Sequence, residues 1–135
     1  MREKTASLAR SFGSPVSMRM TRIEKGSQFH QCVFILVEKS EILKRYFDET
    51  CSMFDRDETG ESHYMPHLSL LYSDISEEER ATLVEDSWRQ MRDQNPENPL
   101  PGFESDTIEL WYTPVQDKTL KSWKKIAGYS ILGQT

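Results

Sequence analysis

With 135 residues, 36% of them apolar, and a mean hydropathy of −0.67, the chain can build one globular domain with a modest core. Its net charge of −5 and pI near 5.2 exclude a general nucleic-acid or membrane surface, which needs clustered Lys and Arg. The 2 cysteines make neither a disulfide framework nor a zinc site. No run approaches the ~20 apolar residues of a membrane span, and no signal-peptide core is present, so the expected compartment is the cytoplasm.

Residues 1–16 lack apolar periodicity and include Gly13, Ser14 and Pro15, which reads as a flexible tail or a remnant of missing sequence. The domain is expected over 17–135. Met18, Met20 and Arg22 alternate with Arg19, Thr21 and Ile23, predicting a strand. Gly26 and Ser27 are expected to turn the chain. Cys32 to Val37 is an unbroken apolar run, the pattern of a strand covered on both faces. Ser40 to Phe54 reads as a helix with Leu43, Phe47, Cys51 and Phe54 on one stripe. Cys32 and Cys51 thus read as buried thiols.

Asp55 to Ser62 is charged and contains Gly60, hence a loop, and a strand follows over 65–72. Ser76 and Glu79 form a capping box that starts a second helix, whose buried stripe is expected at Ala81, Val84, Trp88 and Met91. Glu77, Glu78, Glu79, Glu85 and Asp86 read as its solvated face, the first three favourable at the positive helix end. Pro96, Pro99 and Pro101 make 95–102 a surface loop. Ile108, Leu110 and Tyr112 alternate as a strand, Lys118 to Lys125 reads as a short turn or helix, and Ala127 to Leu132 as a last strand. The order β-β-α-β-α-β-β defines an α+β fold, an antiparallel sheet with helices on one face.

The chemistry concentrates in Tyr64-Met65-Pro66-His67-Leu68-Ser69-Leu70-Leu71-Tyr72. His67 and Ser69 sit two apart on a strand, so both leave the same face, while Leu68 and Leu70 point into a core. An imidazole can accept or donate a proton near neutral pH, and a hydroxyl beside it can hold an anionic oxygen. On parity Tyr72 shares a face with Leu70, so it is a core residue unless the strand ends or bulges there.

This stretch resembles the H-x-[ST]-apolar signature of the 2H phosphoesterase superfamily, and most of all its plant and algal cyclic phosphodiesterases. Gln31-Cys32-Val33-Phe34 and Asp117-Lys118-Thr119-Leu120 with Trp123 are similar to further blocks of that family, so the resemblance covers roughly 20–132. It implies hydrolysis of nucleoside 2′,3′-cyclic phosphates or ADP-ribose 1″,2″-cyclic phosphate, products of RNA and tRNA splicing, by paired histidines without a metal or other cofactor. It also implies His67 as catalytic residue, Ser69 as phosphate-oxygen donor and Tyr72 as the ring that stacks on the base. The family fold has two lobes, each with such a motif, and 1–28 contains no histidine. The first lobe is therefore expected to be mostly missing, making the fold a truncated version.

Each residue has a plainer alternative: Ser69 as a hydroxyl bonded to a neighbouring strand, Tyr72 as core packing. His30 precedes Gln31-Cys32-Val33 and imitates the motif with a thiol, yet replaces what is usually a packing aromatic. His63 reads as solvated. The expected ligand is a small nucleotide cyclic phosphate. Three outcomes stay open: a hydrolase, an inactive remnant that binds nucleotide phosphates or a protein partner, and a homodimer in which two copies of His67 restore the pair.

Overall fold

Ser40 and Ser76 each turn their side-chain oxygen back onto the first helical turn, receiving the amides of Leu43 at 3.3 Å and Glu79 at 3.1 Å. These caps satisfy otherwise orphaned donors and start helices α2, Glu41–Met53, and α3, Glu77–Gln94. The computed structural model describes residues 1–56 and 64–131. His63 and Leu132, and most of the loop expected at 55–62, lie outside the described residues. The other elements are α1 (Arg2–Phe12), β1 (Val16–Met18), β2 (Met20–Gln28), β3 (Gln31–Val37), β4 (His67–Leu71), β5 (Phe103–Ser105), β6 (Thr107–Tyr112) and β7 (Lys124–Ser130). The fold is α+β, and the described ladders of known register are antiparallel. In place of one sheet the strands form three, ordered β1-β5, β2-β3-β4 and β6-β7.

The chain divides into two units. One comprises Met1–Ser17, Lys39–Tyr64 and Glu104–Thr135. In it α1 packs on β6, β7 and α2, with Thr5, Leu8, Ala9 and Phe12 buried. Residues 1–16, expected as a tail, therefore contain a helix whose i, i+3, i+4, i+7 stripe is buried. The helix ends where Gly13 takes a left-handed φ of 75°, a conformation that favours glycine. Leu43, Tyr46, Cys51 and Ile131 are also buried, and Phe47 stacks on Tyr64 with centroids 4.3 Å apart.

The other unit, Met18–Glu38 and Met65–Phe103, sets α3 against β2 and β3. Its core is Ile23, Cys32, Val33 and Ile35, with Leu83, Val84, Trp88 and Met91 packed on it. Ala81, expected in the stripe, is exposed, and Arg80 is buried instead. Gly26 and Ser27 do not turn the chain: they lie inside β2, and the turn falls at Phe29 and His30. A register shift between Lys25 and Gln28 brings the backbones so close that a Cβ on Gly26 would lie 1.9 Å from the Gln31 carbonyl oxygen. Glycine is needed there for close approach at a bulge.

Candidate active site

β4 is the edge of the β2-β3-β4 sheet. His67 opposes Leu36 and Ser69 opposes Phe34, so the two share one face, as the motif predicts. His67 is exposed and Ser69 half-buried. The edge of the Phe34 ring meets the imidazole with centroids 5.4 Å apart. His67 Nδ1 lies 2.8 Å from the Met65 carbonyl oxygen. A carbonyl only accepts, so Nδ1 carries the proton in this contact and the neutral ring presents Nε2 as the acceptor. The backbone thereby fixes both the tautomer and the ring orientation.

The expected burial of Leu68 and Leu70 is not found. They are 43% and 41% exposed, and Leu71 is 37% exposed. The physical reason is coverage: α3 packs on β2 and β3, and β4 lies beyond them at the sheet edge. Period-two alternation marks which side chains share a face; it does not say what covers that face.

The same strand carries a bulge. Phe34 opposes Ser69, and the next residue back, Val33, opposes Leu71. Leu70 is the extra residue, and alternation reverses beyond it. Tyr72 then falls on the face of His67 and Ser69, the exception allowed for in the sequence. Its ring packs on His30 at 5.4 Å and on Phe29 at 6.4 Å, and the Ser73 amide donates to the Phe29 carbonyl at 3.1 Å.

His30 does not join His67. It stands in the β2–β3 turn, ahead of Gln31, whereas His67 pairs with Leu36 near the far end of β3. Its ring meets Phe29 edge-on at 4.8 Å, which supports the packing reading. Cys32 and Cys51 are buried thiols. Among the described residues no group of three or more His, Cys, Asp or Glu could hold a metal ion, and no helix is long and apolar enough to cross a membrane.

The Asp117 block, in the first unit, has a structural part to play. Asp117 Oδ1 accepts from the Thr119 amide at 2.9 Å and from the Thr119 hydroxyl. Its Oδ2 accepts from the Ser122 amide at 2.9 Å and hydroxyl at 2.6 Å. Hydrogen bonds from Ser122, then Thr119, hold this carboxyl far below the usual carboxylate range. Trp123 Nε1 donates to the Pro114 carbonyl at 3.0 Å, closing the turn that leads into β7.

The structure thus sets an exposed, backbone-oriented histidine and a half-buried hydroxyl on one face of an edge strand in an antiparallel α+β fold. Residues 3–124 match the family described as "Cyclic phosphodiesterase-like protein", and the chain belongs to it. It is also similar to the cyclic phosphodiesterase of Arabidopsis thaliana, 32% identical over 108 residues. That match covers 78% of this chain and 55% of the relative, so the chain spans little more than half of that protein's length. The family match begins at residue 3, within α1.

Proposed function

We propose that this chain hydrolyses nucleoside 2′,3′-cyclic phosphates or ADP-ribose 1″,2″-cyclic phosphate through His67, with Ser69 on a phosphate oxygen and Tyr72 against the base. The observation that carries the reading is the His67–Met65 hydrogen bond, which leaves Nε2 as the proton acceptor on an exposed sheet face. A water oxygen attacks phosphorus and its proton passes to Nε2. The bond from phosphorus to one ribose oxygen breaks, and that oxygen takes a proton from a second acid. The cyclic diester becomes a monoester with a neighbouring hydroxyl. Each such proton transfer contributes roughly 10²- to 10⁴-fold, and His67 supplies one of them. The proposal extends to a cytoplasmic role on cyclic phosphates left by RNA and tRNA splicing.

A second reading is favoured by β4 itself. His67 to Leu71 bears no Lys, Glu or Asp to blunt the edge, and its three leucines are exposed, whereas β2 carries Arg22, Glu24 and Lys25. An uncharged edge invites a second strand. Two copies joined there, as a homodimer, would bring two His67 to one assembly.

The test is adenosine 2′,3′-cyclic phosphate hydrolysis followed by phosphorus NMR, beside sedimentation at matched concentrations. His67→Ala is expected to lower turnover at least about 100-fold. If two copies make the site, turnover rises with the dimer fraction and mixing with His67→Ala suppresses it beyond dilution. Binding of adenosine 2′-phosphate that depends on His67, with no turnover at any concentration, would instead establish the inactive remnant. Turnover that survives His67→Ala refutes the assignment of the chemistry to His67.

A further inference from the structure

Arg80, in the first turn of α3, is only 6% exposed, a rare environment for a guanidinium. Its Nη1 donates to the Gly26 carbonyl at 2.7 Å and its Nη2 to the Ser73 carbonyl at 3.3 Å. Gly26 sits at the bulge of β2. Ser73 directly follows Tyr72, and its own amide is bound to Phe29. One planar fork therefore ties together the two backbone segments that carry Phe29 and His30 on one side and Tyr72 on the other. Lys25 and Glu77 form an ion pair beside it, again joining β2 to the start of α3.

We propose that Arg80 is a positioning residue for base recognition: by holding the Gly26 and Ser73 carbonyls it fixes the Tyr72 ring against His30 and Phe29, without touching the ligand. The proposal rests on the reading of Tyr72 as the base platform. The need for arginine follows from shape. A guanidinium offers several donors in a rigid fork and can span two carbonyls, whereas an ammonium is a point charge on a flexible stem. Arg80→Lys keeps the charge and loses the bridge.

The test has a ligand-free arm and a binding arm, both on the full chain. In aromatic NMR spectra, Arg80→Met and Arg80→Lys are expected to shift the Tyr72 ring resonances and leave those of His67 in place, because His67 is anchored by Met65. In titrations with adenosine 2′-phosphate, Arg80→Met and Tyr72→Ala are each expected to weaken binding about tenfold, within the range of one base–aromatic stack. The double variant should bind no more weakly than either single one, and inorganic phosphate should bind all of them alike. Tyr72 resonances that stay in place in both Arg80 variants, an additive loss of about 100-fold in the double variant, or an equal loss of phosphate binding overturns the proposal. Tyr72 resonances that move while Tyr72→Ala keeps full affinity uphold the positioning role and refute the base platform. Arg80→Lys decides the question if Arg80→Met does not fold.

Discussion

Tyr46→Phe removes a single oxygen, and the structure sets what that should cost. The Tyr46 hydroxyl donates to the Phe12 carbonyl at 2.6 Å and lies 3.1 Å from the Ser14 carbonyl. The side chain is 5% exposed, and its ring stacks on Phe12 with centroids 3.8 Å apart. Phe12 is the last residue of α1, so its carbonyl has no partner within the helix. Phenylalanine keeps the stack and the buried area but leaves that carbonyl without a donor. The expected loss is about 1–3 kcal/mol, the cost of stranding a buried acceptor. Phe12→Ala, which removes the ring, should cost about 3–5 kcal/mol. Urea unfolding followed by near-ultraviolet circular dichroism measures both, with the urea slope unchanged in Tyr46→Phe. Ser14→Ala removes only the weaker contact, in which the Ser14 hydroxyl lies 3.3 Å from the Tyr46 hydroxyl, and should cost less, about 1 kcal/mol or under. A Tyr46→Phe midpoint that matches wild type would refute the reasoning, because it would mean that the bond to the Phe12 carbonyl adds no net stability.

Gly26→Ala should destabilise by about 1–3 kcal/mol or more through overpacking, since its Cβ would strike the Gln31 carbonyl oxygen; thermal melts check this, and an unchanged midpoint contradicts the bulge. Ser76→Ala should cost about 1 kcal/mol as a lost N-cap, read by urea unfolding, while Ser76→Asp should be nearly neutral. Acid should weaken the fold through Asp117, whose pKa is depressed when folded. Its stabilisation is complete above the unfolded value of ~3.9 and is lost as pH falls toward the folded one. Stability measured from pH 7 downward should therefore drop less in Asp117→Asn than in wild type, and parallel curves would rule out this contribution.

The elements most legible in the chain were those whose local signals agreed. The apolar run of β3, Leu43 and Cys51 of α2 and the Ser76 box of α3 all appear where period and caps put them, while Tyr46 is buried and Phe47 and Phe54 are only half-buried. α1 was obscured because Gly13, Ser14 and Pro15 dominate its end, although Thr5, Leu8, Ala9 and Phe12 already form a helical stripe. Gly26 misled because glycine serves both turns and close backbone approach, and sequence does not separate the two. Arg80 could have been found: it stands four residues before Val84 and eight before Trp88, on the buried row, where Ala81 was chosen instead. Nothing in the sequence shows that α3 stops short of β4, and that alone exposes Leu68 and Leu70. The Asp117 block was legible as a family block, but its role as a turn clasp follows from four hydrogen bonds that only coordinates reveal.

The bulge at Leu70 is what sets Tyr72 on the same face as His67 and Ser69. Under strict alternation the face that bears His67 and Ser69 would receive Leu71 next to the strand end, and Tyr72 would turn toward α3. One extra residue puts Leu71 opposite Val33 and returns Tyr72 to the His67 face. Leu68, Leu70 and Leu71 stay exposed at the sheet edge. The inserted residue thus accounts for the placement of Tyr72, whereas the exposed leucines follow from the position of β4 at the sheet edge. Under the proposed function, His67 and Ser69 would orient a phosphate and Tyr72 its base. In the proposed mechanism His67 would move one of the two protons, because the Met65 carbonyl holds Nδ1 and leaves Nε2 as the reacting nitrogen. Losing the second transfer costs roughly 3–5 kcal/mol of barrier lowering, so binding should persist in any setting where β4 is folded, and turnover should follow whatever supplies the second acid.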